Sequence, residues 1–366
     1  MYRWFKEFCN ELFFCGESVP SADFCEEVRD LIVSALSELP AGFKPVWFRF
    51  HVSDIANQED LLRKVLAELK IDFAVSIIGQ APLSGAHAAL EAYFVKNAVC
   101  TVPEPGQSML ESGPYRQLFF NTPALSSRGS GPQMSEEFAA AEKIISSRGG
   151  TIAGNLHRTW IYCRDIDNNY ADLVTARKEL FAARGLVADT HYITSTGIEG
   201  MPHPYYRLVK MDSFALFGHQ PEQIYYLQAL EHLSPTHIYG VTFERGTRIT
   251  YGDRSSYYIS GTASIDKHGQ VVHEQDVEKQ TVRLLENVEA LLADGGAELS
   301  DLAQAVIYLR DPADQKVIRK VLEKRLPESV PRLLVRGSIC RPSWLVEMDA
   351  IAVNARGNKL FAPVFN

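Results

Sequence analysis

The chain has 366 residues, of which 46% are apolar and 22% are charged, and its formal net charge at pH 7 is -8. This composition excludes a disordered chain, and the length fits two or three domains. The acidic balance argues against a general nucleic-acid binder, because neutralising phosphates requires a basic surface.

Targeting and metal-binding patterns are missing from the sequence. No apolar run is long enough to span a membrane, and residues 1–7 lack the apolar segment of a signal peptide. The six cysteines are scattered without Cys-x-x-Cys pairs, and the ten histidines lack a zinc-binding spacing. We therefore expect a cytoplasmic protein without membrane or nucleic-acid partners, with reduced, mostly buried thiols and no metal site.

The first series of predicted elements occupies residues 1–115. An apolar strand at residues 12–16 leads into a helix of apolar period 3.6 at residues 21–39. A strand ending in Asp54, a second helix and an apolar strand at residues 89–95 complete the series. This order predicts one α+β unit.

The second series, at residues 116–218, has the same order of elements. A strand at residues 117–123 precedes a helix at residues 135–147, and a second strand ends in Asp165. An amphipathic helix follows, and the series ends with an apolar strand at residues 208–216.

The third series occupies residues 219–366. It has a strand at residues 257–263, a helix at residues 274–292, a strand ending in Asp311, a second helix, and a long strand at residues 345–353. Three repeats of one order predict an α+β fold of three tandem units with helices on one face of each sheet.

Turn residues lie between the three series, and acidic residues lie between strands and helices within them. Proline and glycine cluster at residues 103–106 and 218–221, where we place the joints between the units. Asp54, Asp165 and Asp311 each lie between a strand and a helix, where a carboxylate can accept backbone N–H groups at the helix start. A structural role is therefore expected for these three residues.

The third unit closely resembles the Rid/YjgF family. The resemblance runs from Tyr-Ile-Ser-Gly-Thr-Ala-Ser-Ile at residues 258–265 to Cys-Arg-Pro-Ser-Trp-Leu-Val-Glu-Met-Asp-Ala-Ile-Ala-Val at residues 340–353. Members of this family are homotrimers with active sites in the clefts between subunits. The resemblance thus implies a monomeric pseudo-trimer within one chain, formed by two degenerate units and a third that carries the main site; further self-association stays open.

The chain is also similar to the chorismatases, Rid-related enzymes that convert chorismate to pyruvate and a hydroxybenzoate or dihydroxycyclohexadiene carboxylate. Their Arg-x-Trp-Asn-Tyr strand and Thr-Gly-Ile-Gly segment correspond to residues 158–162 and 196–199. Their Tyr-Gly and Phe-x-Arg-Gly pieces correspond to residues 239–240 and 243–246, but their Pro-Arg-Ser-Pro segment has no counterpart. In members that form 3-hydroxybenzoate, a glycine and a cysteine match Gly246 and Cys340.

The last strands of the three units differ at one equivalent position, which holds Ala89, Lys210 and Glu347. Cys340 and Arg341, shortly before Glu347, have no counterpart in the other units. The three clefts are therefore not equivalent, and the third unit concentrates the candidate chemistry. A carboxylic acid beside arginines suits protonation of an enol ether or imine whose carboxylates the arginines hold.

Each candidate has a structural alternative. Glu347 is the candidate catalytic acid, and it could instead be a paired charge on the outer face of the sheet. The candidate carboxylate-binding residues, each of which could be an ordinary surface arginine, are Arg341, Arg245 and Arg332. Cys340 is either a reactive thiol favoured by Arg341 or a small buried hydrophobe.

Three further residues are predicted to contribute to substrate binding: Tyr239, Trp160 and Gly246. The aromatic residues could equally belong to the core. Arg332 resembles the carboxylate-binding arginine of single-domain Rid deaminases and ranks below Arg341.

The leading hypothesis is a chorismatase-like lyase or hydrolase that releases pyruvate from chorismate or a related enolpyruvyl carboxylate. Glu347 would protonate the enolpyruvyl group, and no metal or organic cofactor is implied. A Rid-type enamine/imine deaminase is the first alternative. A non-catalytic protein that binds a small acid is the second, and the missing Pro-Arg-Ser-Pro segment favours it.

Overall fold

The computed structural model describes residues 3–122 and 125–365, apart from the side chain of Tyr239. The described strands form three sheets, the first of five strands and the others of six each. No helix in these two ranges is long and apolar enough to cross a membrane.

The first sheet has the strand order β1-β2-β5-β3-β4, with β3 and β4 parallel and the other pairs antiparallel. Two amphipathic helices, α1 and α2, pack on one face of it, and Asp23 and Asp54 cap their first turns. The elements are β1 (Arg3–Phe8), β2 (Glu11–Glu17), α1 (Phe24–Ser37), β3 (Lys44–Val52), α2 (Ile55–Glu68), β4 (Ala74–Gly79) and β5 (Ala88–Val95).

The second sheet has the order β10-β9-β11-β8-β7-β6, and its helices α3 and α5 pack together over one face. Its elements are β6 (Val99–Thr101), β7 (Gln107–Ser112), β8 (Tyr115–Asn121), α3 (Ser130–Ser146), α4 (Ile152–Asn155), β9 (Leu156–Cys163), α5 (Ile166–Ala182), β10 (Thr194–Glu199) and β11 (Val209–Phe217).

The third sheet has the order β12-β13-β14-β17-β15-β16, so that its inner strands repeat the arrangement of the first two sheets. Its elements are β12 (Ile224–Leu227), β13 (Gly246–Thr250), β14 (Ser255–Ala263), α6 (Val277–Asp294), β15 (Leu302–Leu309), α7 (Gln315–Arg325), β16 (Arg332–Arg336) and β17 (Val346–Asn354).

Alternation along each strand divides its side chains between two faces. In β3, Phe48 and Phe50 pack against the helices of the first unit, whereas Trp47 faces the other two sheets. The Trp47 ring lies 5.4 Å from that of Trp160, and Phe214 stacks 4.9 Å from Tyr258. The sheets therefore enclose a shared interior.

Isolated bridges between strand ends close the three units into a ring. Gly79 pairs with Met201 between the first two units, Ile198 with Ile339 between the second and third, and Pro82 with Val335 between the third and first. The predicted intramolecular pseudo-trimer of α+β units is confirmed.

Buried charges occupy the centre of the ring. The carboxylates of Glu91, Asp212 and Asp349 come from the three central strands, and the Arg49 guanidinium binds Glu91 at 3.2 Å and Asp212 at 3.0 Å. Its Cζ lies 4.0 Å from the centroid of Trp47. Because Arg49 joins carboxylates from two units, it ties those units together electrostatically.

Some predicted boundaries differ from the strand pairing. Strands β6 and β7 pair with β8, so the change of sheet falls between Val95 and Val99 rather than after residue 115. The predicted joint at residues 103–106 is a hairpin within the second sheet, because its proline and glycine residues form a turn there. No described strand crosses the second predicted boundary after residue 218.

The expected helix-start role holds for two of the three aspartates. The Asp54 carboxylate accepts a hydrogen bond from the backbone N–H of Asn57, and Asp311 accepts one from Ala313. Asp165 also precedes its helix, but its carboxylate accepts no backbone N–H group at the helix start. Its backbone has a φ of 49°, and its carboxylate instead accepts hydrogen bonds from the side chain of Asn168.

Candidate active site

A cavity of about 260 Å³ lies between the second and third units. One wall comes from α5 and β10 of the second unit, and the other comes from the strands and loops of the third. The polar side chains of its lining include those of Tyr170, Arg177, Arg245, Cys340, Arg341 and Glu347, and Gly261 lies among them.

Glu347 lies on the cavity wall, as the second residue of β17. Its side chain is buried, and an ideal Cβ at Gly261 would come within 2.1 Å of its Oε1. A glycine at position 261 therefore provides the space that the carboxyl group occupies.

The carboxyl of Glu347 is held in its protonated form. Burial raises its pKa to about 8, and the charge of Asp349 acts in the same direction, whereas Arg158 and Arg245 oppose it. At neutral pH this group is a neutral acid facing a cavity, which is the state required of a proton donor. The alternative of an outward-facing paired charge does not hold.

Arg177, which the sequence analysis did not single out, contributes a third arginine to the cavity. Its side chain is 1% exposed, and its Nε donates to the hydroxyl of Thr242 at 3.3 Å. Its Nη2 has no hydrogen-bond partner among the described residues. A buried guanidinium N–H without an acceptor is costly, and an anionic ligand would satisfy it.

Arg245 and Arg341 approach the cavity from the third unit. The guanidinium of Arg245 is buried and donates from Nε and Nη2 to the carbonyl oxygen of Ser234, at 3.2 and 3.0 Å. Arg341 is half-buried, and its Cζ lies 5.1 Å from the ring centroid of Trp344. Both arginines line the cavity that Glu347 faces.

Cys340 lies in the same cavity, and its side chain is a protonated thiol rather than a thiolate. Burial raises its pKa to about 12, with the charge of Glu347 in the same direction, while Tyr170, Arg341 and Arg177 only partly oppose this shift. The suggestion that Arg341 favours a thiolate is wrong, because desolvation outweighs the nearby positive charge. With its pKa raised in this way, Cys340 is a thiol at neutral pH and can donate or accept a weak hydrogen bond in the cavity.

Three predicted binding residues lie outside this cavity. Arg332 begins β16 and lines a separate cleft with Trp4 and Glu17, because β16 is the edge strand of the third sheet and meets the first unit, where Val335 pairs with Pro82. Trp160 points into the shared interior, where the guanidinium Cζ of Arg158 is 4.4 Å from its ring centroid.

Gly246 is the third of these residues. It pairs with Ile259 within the sheet, and a Cβ there would come within 2.8 Å of Leu227 and 2.9 Å of a backbone oxygen. Gly246 therefore serves packing between strands. The side chain of Tyr239, the remaining candidate, lies outside the described part of the structure.

The equivalence of Ala89, Lys210 and Glu347 is visible in the strand register. Each is the second residue of its strand, β5, β11 and β17, and they pair with His51, Tyr162 and Tyr308, respectively. Glu347 and Lys210 line clefts at two of the unit boundaries, and the equivalent position of the first unit is an alanine.

The cysteines and the possible metal ligands bear on the expectations from the sequence. All six cysteines are free, and only Cys15 and Cys163 are fully buried. Within residues 3–122 and 125–365, no three His, Cys, Asp or Glu side chains are arranged to hold a metal ion.

Comparison with known proteins places this chain in a family. The model of the family "Endoribonuclease L-PSP" matches residues 251–354. The 3-aminoacrylate deaminase RutC of Acinetobacter baylyi is 34% identical over 96 residues, which are 26% of this chain and 76% of that protein. A RutC family protein of Pyrococcus abyssi is 33% identical over 96 residues, with the same shares covered.

A solved structure extends the similarity to nearly the whole molecule. The crystal structure of a chorismatase has a TM-score of 0.67 at 17% identity, and the match covers 94% of this chain and 100% of that one. The three-unit architecture is thus that of the chorismatase fold. This chain belongs to the Rid/YjgF superfamily, the family of the L-PSP endoribonuclease model.

Proposed function

We propose that the cavity between the second and third units releases pyruvate from chorismate or a related enolpyruvyl dicarboxylate. One observation carries the proposal: the carboxyl of Glu347 has its pKa raised to about 8 and faces the same cavity as the guanidinium groups of Arg177, Arg245 and Arg341. A neutral acid among several arginines is suited to protonate an anionic substrate that the arginines hold.

The proposed reaction begins with a proton transfer. Glu347 gives its proton to the terminal methylene carbon of the enolpyruvyl ether, and positive charge develops on the carbon that bears the ether oxygen. Water adds to that carbon and loses one proton. The resulting hemiketal then collapses: its bond to the ether oxygen of the ring breaks, and its hydroxyl proton passes to that oxygen as the carbonyl group of pyruvate forms. The products are pyruvate and a hydroxylated ring carboxylate, and the proton that the water releases restores Glu347.

The arginines hold the two carboxylates and limit how the substrate can lie. Arg177 is buried on the α5 side, and Arg245 and Arg341 lie on the third unit, so a dicarboxylate can bridge the two walls. The volume of about 260 Å³ lies just below the range of about 300–1,000 Å³ typical of ligand pockets. The size favours a compact metabolite.

The proposal is tested by incubating purified protein with chorismate and measuring pyruvate and the hydroxylated ring carboxylate over time. We expect pyruvate release, and we expect Glu347→Gln to abolish it because the amide cannot donate a proton of comparable acidity. Glu278→Gln, an isosteric change at an exposed position on α6, is the matched control and should leave the rate unchanged. Wild-type protein that leaves chorismate intact would contradict the proposal.

A second candidate is hydrolysis of an enamine or imine carboxylate with release of ammonia. It is favoured by the 34% identity with a protein named as a 3-aminoacrylate deaminase. In this reaction Arg341 would hold the carboxylate, Glu347 would protonate the enamine carbon, and water would add to the resulting imine. Ammonia release from 2-aminoacrylate or 3-aminoacrylate, without consumption of chorismate, would favour this candidate over the first.

A further inference from the structure

A second and larger cleft, of about 820 Å³, lies between the first and second units. It occupies the same relative place at its unit boundary as the candidate active site does between the second and third units. Lys210 takes the position of Glu347 in the strand register, so a basic group replaces the acid.

Lys210 is a buried ammonium group with incomplete hydrogen bonding. Its side chain is 6% exposed and lines this cleft, and its Nζ donates to the carbonyl oxygen of Ile77 at 3.0 Å. No carboxylate lies within ion-pair distance of it among residues 3–122 and 125–365. An ammonium group has three N–H donors, so two of them remain for a ligand.

The pKa of Lys210 is lowered but stays above 7, so the side chain is mainly protonated at neutral pH. Burial lowers its pKa to about 8, Arg207 and Arg63 act in the same direction, and Asp212 and Glu59 oppose it. Burying an uncompensated charge is costly, and an anion in the cleft would offset that cost.

A second basic residue, Arg207, lies on the wall of the cleft. Its Nη2 donates to Glu137 at 3.0 Å, but burial raises the pKa of that carboxyl to about 7. Near neutral pH Glu137 is therefore ionised only in part, which leaves net positive charge beside Lys210. The acidic residues of this cleft, Asp72 and Glu104, come from loops at its rim.

The rest of the wall is mainly apolar. It is formed by side chains of α2, β4, the loop between them and the loop that follows β6, among them Leu66, Ile71, Phe73, Val75 and Pro103. A ligand that fills such a cleft needs an apolar body as well as an anionic group.

We propose that this cleft is a binding site for a small carboxylate with an apolar body, such as an aromatic acid, with its carboxylate on the Lys210 ammonium. The site is distinct from the cavity that contains Glu347, and the inference does not depend on the proposed reaction. The carboxylate would accept the two remaining N–H groups of Lys210, and the ring would lie against the wall that includes Phe73.

The test uses benzoate as the probe and the full chain, with binding measured by isothermal titration calorimetry. We expect Lys210→Met to weaken one class of benzoate sites by about tenfold or more, since a buried charge pair with a ligand is lost. Lys64→Met is the matched control, because Lys64 is an exposed lysine on the neighbouring helix α2. An unchanged benzoate isotherm in Lys210→Met would overturn the proposal.

A measurement on the wild-type protein keeps the test valid if the variant fails to fold. Amine acetylation is followed by mass spectrometry with and without benzoate, and we expect benzoate to protect Lys210 but not Lys64. Inorganic phosphate at the same concentration is the comparison ligand. Protection by phosphate without protection by benzoate would contradict an apolar carboxylate as the occupant, as would equal modification of Lys210 in all samples.

Discussion

The carboxyl group of Glu347 occupies the space that a side chain at residue 261 would fill, because an ideal Cβ on Gly261 would lie 2.1 Å from Oε1. Gly261 is on β14, and Glu347 is on the neighbouring strand β17. Because residue 261 has no side chain, there is room for the proposed acid at this position between the two strands.

This relationship predicts the effect of Gly261→Ala. The added methyl group must displace the Glu347 carboxyl, so we expect a loss of turnover of at least tenfold, and a destabilisation of about 1–3 kcal/mol from overpacking. Turnover with chorismate and urea unfolding measure the two effects separately. Full activity in a folded Gly261→Ala variant would show that the position of this carboxyl does not matter to the reaction.

The raised pKa of Glu347 predicts how turnover varies with pH. Since the protonated form is the proposed donor, kcat/KM should fall as the pH rises through about 8. A pH–rate profile of the wild-type protein checks this directly. Activity that instead rises through pH 8 would assign the group the role of a base.

The same pKa predicts a pH dependence of stability. Between the ordinary pKa of 4.5 and about 8, the folded state binds a proton at Glu347 that the unfolded state has lost. The stability contributed by this proton is therefore present below about pH 4.5 and lost as the pH rises to 8. Glu347→Gln should be more stable than wild type at pH 9, by up to several kcal/mol, and similar to it near pH 4.5, as measured by urea unfolding.

Arg177 is expected to bind substrate through its buried guanidinium. Arg177→Met removes a buried donor group, and we expect kcat/KM to fall by about 30-fold or more, from a loss of about 2 kcal/mol or more. Lys178→Met is the control, because Lys178 is the next residue of α5 and is exposed. Equal values of kcat/KM in the two variants would show that Arg177 does not bind the substrate.

The protonated state of Cys340 predicts slow alkylation. Because its pKa is raised to about 12, iodoacetamide at pH 8 should modify it far more slowly than the exposed Cys9. Mass spectrometry of peptides over a time course gives both rates in one sample. Preferential labelling of Cys340 would contradict the thiol form.

The central ion cluster predicts a large loss of stability on removal of Arg49. Arg49→Met leaves Asp212 buried without its guanidinium partner and leaves Glu91 with His51 alone, and we expect a destabilisation of about 3–5 kcal/mol in urea unfolding. Adding Glu91→Gln and Asp212→Asn should recover much of that loss, because the uncompensated charges are then gone. A change below about 1 kcal/mol in Arg49→Met would show that the cluster is compensated by other groups.

The repeated fold could be predicted from the sequence because strand endings, apolar periods and connecting aspartates recur in the same order. The register that aligns Ala89, Lys210 and Glu347 followed from the same repeats. Boundaries were less accurate where pairing is decided by distant strands: β6 and β7 join the second sheet although they follow directly on the first.

The candidate site could be predicted only in part, since the cavity depends on how the units meet. Arg177 was missed because a single arginine in a helix of mixed polarity looks like a solvated side chain. Its spacing from Tyr170 and Val174, seven and three residues earlier in the helix, places all three on one face, and this was the available signal. Arg332 lies in a different cleft from Glu347, which could not be predicted because sequence alone does not show which neighbouring unit the edge strand β16 meets.

Covalent linkage of the three units has a consequence for how such a molecule can change over generations. In an assembly of identical subunits, any substitution at a boundary appears at every boundary at once, so a residue must suit all of them. Here each boundary is encoded separately, and one position has become alanine, lysine and glutamate. Tandem duplication thus frees each cleft to acquire its own chemistry while the shared interior continues to hold the ring together.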